Sequence, residues 1–321
     1  MGRADVYSQP DAPDPVLPVE LVRELARPYL PDGVQLDGGM AVDESGGEAR
    51  VYLFDRADTS GGVAVKTQRP HRLRPRTSLA KEAALLGALA GPLAGRIPAL
   101  HGYDAVDTPE GPVEYIVMSR VPGRAVVANG VPPAARAALF RAVADVLRIV
   151  HVLDADDLRS AGTLPSVDGA AGLRARLELN FADLVEALET RPDRWPLEVR
   201  PERVAERALA ALPARLDQPP VPLHSNPGPT HVFADSDGAF TGLIDFGDAY
   251  AAHPALDLRS WPDPADRLRL REAYLDGQAA DAEWDAVWTV AMIYADLGAM
   301  TGPTLHAAPA AADLVERLGQ L

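Results

Sequence analysis

The stretch Pro222–Asp248 gathers side chains that bind cations and orient hydroxyls: His224, Asn226, His231, Asp245 and Asp248. The Asp245 carboxylate is a hard oxygen donor of the kind Mg2+ prefers. His231 would have to be neutral to bind metal, and imidazole is softer than Mg2+ favours. It therefore ligates, hydrogen-bonds a phosphate or a water of the metal's shell, or merely packs. Asn226 is a poor base, yet its amide oxygen can orient a hydroxyl. Far upstream, Lys66 closes the run VAVK, and Glu82 follows sixteen residues later. The chain has two lysines, Lys66 and Lys81, and every other basic residue apart from histidine is arginine. A lysine kept against that bias suggests that a compact point charge is wanted rather than a planar fork.

The elements that must position these groups follow from local pattern. Two short apolar runs, His231–Ala234 and Phe240–Ile244, are joined by Asp235-Ser236-Asp237-Gly238. Asp-Gly between such runs predicts a hairpin, because Gly tolerates the positive φ of a tight turn. The hairpin should set His231 and Asp245 side by side at one end. Ahead of it, Pro227-Gly228-Pro229 excludes helix and regular strand, so His224–Asn226 lie on a rigid loop. Residues 34–65 alternate in three runs, GVQLDGG, EARVYLFD and GGVAVKTQ, expected as an antiparallel meander. Lys66 ends the last run, and Glu82 sits on a helix with Leu79, Leu85, Leu86 and Leu89 as its apolar side.

The stretch 222–248 resembles the catalytic segment of the aminoglycoside and macrolide phosphotransferases, antibiotic kinases with a protein-kinase-like fold. Their pattern is H-x-D-x-x-x-x-N, a short hairpin, then D-[FW]-x-[DE]. Here His224 and Asp245-Phe246-Gly247-Asp248 keep the spacing, while Asn226 replaces the base aspartate and His231 the metal-binding asparagine. The resemblance spans about residues 35–320. It implies an α+β, bilobal fold: a nucleotide-binding N-lobe over 1–121 with a small antiparallel sheet, ending in a hinge, and a larger helical C-lobe over 122–321 with catalytic loop, metal site and acceptor pocket. Lys66 would contact the α- and β-phosphates with Glu82 holding its ammonium, and Lys66 and Asp245 should meet over one triphosphate. Ser45 and Gly46 would bring backbone amides to a phosphate, although glycines there also serve as plain turns. Met118 would be the gatekeeper, with the Ser119 carbonyl and Val121 amide reading the purine of ATP or GTP. Asp245, with His231, would hold Mg2+, His224 would brace the loop, and Asp257 would hydrogen-bond it. The reaction implied is transfer of the γ-phosphoryl group to a hydroxyl of an antibiotic, or of a metabolite such as choline or homoserine. At Asn226 three accounts stay open: a deliberate change that traps a ternary complex, a naturally slow kinase, or a pseudokinase that binds nucleotide or drug.

The remainder of the chain bounds these expectations. Hydrophobic residues make up 47% and charged residues 24% of 321, ordinary for a globular protein large enough for two lobes. No apolar run is long enough to span a bilayer, and no signal core or myristoylation pattern is seen at the start. Zero cysteines agree with a cytoplasmic location. A net charge of −15 argues against nucleic acid as a partner. Most of it lies beyond residue 123, which suits an acceptor with amino groups or simply solubility. Helices are expected over 19–26, 132–153, 170–189, 201–216, 264–277, 281–300 and 309–319. His151, near a helix end, reads as structural. Asp248, Tyr250, Glu283, Asp285, Trp284, Trp288, Tyr294 and Asp296 are candidates to line an acceptor site, and an exposed helical face explains the charges on 281–300 equally well.

Overall fold

The computed structural model describes residues 7–31, 34–36, 39–55, 61–75, 77–164, 169–302 and 304–321. In chain order, α1 (Val19–Ala26) is followed by β1 (Met40–Asp43), β2 (Ala49–Asp55), β3 (Gly62–Gln68), α2 (Leu79–Leu89), β4 (Leu100–Thr108) and β5 (Gly111–Ser119). Then come β6 (Arg124–Ala125), α3 (Val126–Asn129), α4 (Arg136–His151), α5 (Ala155–Ser160), α6 (Gly169–Glu189) and α7 (Pro201–Ala210). The last part holds β7 (Val221–Leu223), β8 (Val232–Ala234), β9 (Phe240–Leu243), β10 (Tyr250–Ala252), a 3-10 helix (Pro254–Arg259), α8 (Pro264–Leu275), α9 (Ala282–Thr301) and α10 (Thr304–Gln320). The described residues divide into two compact units: those from 7 to Gly130 with His231–Ala249, and Val131–Thr230 with Tyr250–Leu321.

The first unit is built on an antiparallel sheet of order β1-β2-β3-β5-β4. Period-two alternation gives it two faces. Val63, Val65, Val113, Tyr115 and Val117 point to one side, where they bury Val22 and Ala26 of α1 together with Leu17 and Leu36. The intervening Ala64 and Lys66 pair with Met118 and Ile116, so Lys66 leaves the sheet on the other side. The segment before α1 is tied to β2: Tyr52 Oη donates to the Leu17 carbonyl at 2.9 Å, and the buried Arg50 reaches Asp14, Glu44 and the Pro15 carbonyl. Hairpin β8–β9 belongs to the same unit, with Val232 opposite Leu243. Its turn holds Gly238 at φ 85, and Asp235 Oδ1 accepts from the amides of Asp237 and Ala239. β6 pairs with β8. That crossing requires Gly123, at φ 82, since a Cβ there would lie 2.2 Å from the Ala234 carbonyl oxygen.

Several expected boundaries shift: the helix expected from 132 begins at Arg136, and the one expected from 309 begins at Thr304. The first strand of the meander is Met40–Asp43 rather than residues 33–39, of which 33, 37 and 38 lie outside the described residues. The third segment expected as a C-lobe helix after 201 ends at Ala210, because Pro213 and the following Arg215–Gln218 stretch do not continue it.

The second unit is helical, with the short pair β7–β10 setting Tyr250 opposite Leu223. Helix α4 buries Leu139, Val143, Leu147 and Val150, the stripe expected from its spacing. His253 caps the 3-10 helix by accepting from the Ala255 amide at 3.2 Å. Between α8 and α9, Arg267 meets Asp296 with both side chains wholly buried. Burial pushes the Asp296 carboxyl up to about 8, with Arg267 pulling it back.

Removing one partner of a buried pair strands the other. Arg267→Ala should therefore cost about 3 kcal/mol in chemical denaturation, whereas the double variant Arg267→Met/Asp296→Leu should cost less; equal losses would show the charges to be immaterial. Burial depresses the His253 pKa from 6.5 to about 4. The unfolded chain then binds the extra proton first, so stability present above pH 6.5 is lost as pH falls towards 4, by about 3 kcal/mol. His253→Asn keeps a cap acceptor without the titration, and its stability should decline less steeply across that window.

Candidate active site

The sheet unit assembles three charged groups. Lys66 Nζ lies 2.7 Å from Glu82 Oε2 and 2.7 Å from Asp245 Oδ1. Each arrives by a different local rule. Strand alternation turns Lys66 to the face opposite α1. Ser78 caps α2, accepting from the Lys81 amide at 3.2 Å, which sets Glu82 in the first turn. The β8–β9 hairpin ends on Asp245, where the Ile244 amide donates to the His231 carbonyl at 3.1 Å and closes the ribbon. The lysine is 8% exposed. Burial works against its charge, but the Asp245 and Glu82 carboxylates outweigh burial and raise its pKa well above the ordinary value. For Glu82, burial is the largest influence and pushes the carboxyl up, with Lys66 opposing.

Asp245 also lies 3.4 Å from His231, Oδ2 to Nε2, at the open end of the hairpin. Its φ of 72° is in the left-handed region, which a non-glycine residue adopts at a cost. That strain was not visible in the sequence, because aspartate is among the few residues that tolerate this conformation. Asp248, three residues on, accepts from Thr77 Oγ1 at 2.6 Å. Met118 and Val121 are buried, and the Ser119 amide bonds the Ala99 carbonyl while its Oγ accepts from the Ala99 amide. Ser45 and Gly46 are exposed in the β1–β2 turn, with the Ser45 amide donating to Asp43 Oδ1.

In the helical unit the loop after β7 hangs on one buried acid. Asp257 accepts from the amides of His224 and Ser225, both at 2.7 Å, the loop-bracing duty expected of it. Burial opposes its ionisation, yet the His151 hydrogen bond, with His224, holds its carboxyl below the usual range. His151 Nε2 meets Asp257 at 3.0 Å and its Nδ1 meets Tyr274 Oη at 2.8 Å, so that histidine is structural. His224 is fully buried, and its Nδ1 accepts from the Asn226 amide at 3.3 Å. Ser225 is forced to φ 85. Gly228 has no room for a side chain: a Cβ would sit 2.5 Å from the Ser260 carbonyl and 3.3 Å from Asn226 Oδ1.

The acceptor candidates fall differently. Tyr250 is buried under the Arg176 guanidinium, 3.4 Å above its ring. Glu283 accepts from the amides of Asp217 and Gln218. Trp284 and Trp288 are buried and stack at 5.8 Å, and Asp285 pairs with Arg271 at the surface. Asp296 faces neither solvent nor an open site, because its side chain is wholly buried with Oδ1 on Arg267. Hydrophobic spacing along α9 does not reveal which of its acids turns inward. Among the described residues, no group of three or more histidines and acids is arranged as a metal cage. No helix among them is long and apolar enough to cross a membrane.

The chain is similar in fold to the macrolide 2'-phosphotransferase MphH from Brachybacterium faecium, with 22% identity over 92% of this chain and 98% of that one, at a TM-score of 0.54. It is also similar to the wild-type aminoglycoside 2'-phosphotransferase-IIIa in its GDP complex, with 16% identity, 94% and 99% coverage, and a TM-score of 0.59. The streptomycin–ATP ternary complex of APH(2")-IIa gives 15% identity, 94% and 97% coverage, and 0.53. No curated protein matches the chain by sequence. These likenesses establish an α+β, protein-kinase-like fold. The model of the phosphotransferase enzyme family, APH, matches residues 40–292, and the chain belongs to that family.

Proposed function

We propose that the chain is a small-molecule kinase that moves the γ-phosphoryl group of ATP or GTP to a hydroxyl of a natural-product antibiotic, in the cytoplasm. The observation that carries this reading is the meeting of Lys66 with Glu82 and Asp245 at 2.7 Å each. In the proposal, the Lys66 ammonium engages the α- and β-phosphates while Glu82 keeps it in place. Phosphoryl transfer passes through a loose transition state, so alignment and charge neutralisation supply most of the catalysis. The Ser119 carbonyl and Val121 amide read the purine beside Met118, and the amides at Ser45 and Gly46 approach the phosphates.

Of the two acids on Lys66, Asp245 suits Mg2+. Its side chain keeps 37% exposure against 1% for Glu82, and a carboxylate is the hard donor that ion prefers. Asp245 would hold the ion, which when bound neutralises phosphate charge. His231 is the poorer ligand and donates a hydrogen bond to a phosphate oxygen instead. In the transfer, the acceptor hydroxyl oxygen bonds to the γ-phosphorus as the bond to the bridging oxygen breaks; the nucleoside diphosphate leaves with that electron pair, and the hydroxyl proton passes to a transferred phosphoryl oxygen or to water. Asn226, at the base position and seated by His224, orients that hydroxyl through its carbonyl oxygen but takes up no proton.

Asn226 also supports a second reading, a protein that binds nucleotide or drug without turnover, or a kinase of a small metabolite with another proton acceptor. Substitution separates them. Asn226→Asp should raise phosphotransfer to a panel of hydroxylated antibiotics by at least about tenfold, with product formation followed by mass spectrometry. Should both forms bind Mg-nucleotide and neither modify any compound, the binding reading replaces the kinase one. Asp245→Ala should abolish the Mg2+ dependence of nucleotide affinity in calorimetry. Unchanged dependence would remove Asp245 from the metal.

A further inference from the structure

Both lysines of the chain end on one five-residue segment. Lys66 Nζ donates to Asp245 Oδ1 at 2.7 Å, and Lys81 Nζ donates to the Ala249 carbonyl at 2.9 Å. Lys81 stands beside Glu82 in the first turn of α2, yet it is only 7% exposed, where a lysine on a helix is ordinarily solvated. The residues between its targets are gripped from the same turn. Glu82 accepts from the Phe246 amide, the Gly247 carbonyl accepts from the Ser78 amide at 3.3 Å, and Asp248 accepts from Thr77 Oγ1 at 2.6 Å. Every residue from Asp245 to Ala249 is therefore held by Lys66 or by Thr77–Glu82.

We infer that Lys81 is a positioning residue for Asp245, closing the far end of the segment so that the acid stays in its left-handed conformation beside Lys66. A strained φ persists only where its surroundings over-determine it, and five successive ties do so here. The choice of lysine fits: the Ala249 carbonyl is reached by a compact ammonium on a slim stem, a shape that a planar guanidinium does not share. The grip stands on the contacts alone, and its consequence for Mg2+ rests on the kinase reading above.

The test reads the segment directly. In Lys81→Met, amide hydrogen exchange over Phe246–Ala249 should quicken by at least about tenfold while exchange in β2 and β3 stays as in the wild type. Thr77→Val, which leaves no buried charge unpaired, should quicken the same amides to a smaller degree. Lys81→Arg should resemble Lys81→Met rather than the wild type. In Lys81→Met, affinity for Mg-nucleotide should fall by about tenfold with metal-free nucleotide affinity unchanged, a split that a general loss of stability does not produce. Unchanged exchange over 246–249 in both Lys81→Met and Thr77→Val overturns the inference, as does a uniform rise across the sheet unit. Exchange is read without nucleotide, so wild-type protein that binds no nucleotide but whose segment still depends on Lys81 would fail the kinase reading and support this one.

Discussion

One buried ammonium governs the sheet unit. Taking a lysine out of water costs several kcal/mol unless the charge is well paired. Lys66 is paired twice, by acids that lie 16 and 179 residues away in sequence. The alternation of β3, the capped start of α2 and the end of the β8–β9 hairpin are the means by which three groups distant in sequence reach one point. Loss of Lys66 leaves the two carboxylates facing one another without a counter-charge, so the arrangement is coupled to folding as well as to chemistry.

The helical unit solves a different problem with the same economy of parts. A loop carrying Pro227-Gly228-Pro229 has few backbone bonds of its own, and Asp257 accepts two amides there while His151, itself bonded to Tyr274, holds Asp257. Backbone strain is concentrated at these places: among the described residues, two of the three non-glycine positions with positive φ are Ser225 and Asp245. Strain of this kind must be sustained by its surroundings, and in each case a polar contact to a buried partner, Asp257 or Lys66, does so.

Much of this was legible in the chain. Asp237-Gly238 announced the hairpin, the lysine retained after an apolar strand pointed to Lys66, and the family resemblance named Glu82 as its partner. Asp257 was recognisable only through the family resemblance. What stayed hidden depends on three-dimensional neighbours that no local pattern encodes. The left-handed Asp245, the reach of Lys81 to Ala249 and the inward turn of Asp296 to Arg267 are of this type. The first strand fell later than its alternation suggested, since pairing with β2 begins only at Met40 opposite Phe54. On α9, acids at similar spacing divide between surface, loop anchor and core, which composition alone does not sort.

In the proposed kinase reading, the lysine–carboxylate arrangement engages a triphosphate and the Asn226 side chain would limit the rate of transfer. The most direct test is the affinity of Mg-ATP and Mg-GTP for wild-type protein and for Lys66→Met, measured by titration calorimetry. The account predicts a loss of at least about tenfold in the variant for whichever nucleotide binds, since a charge-assisted contact is removed. Equal affinity in the two proteins would contradict it.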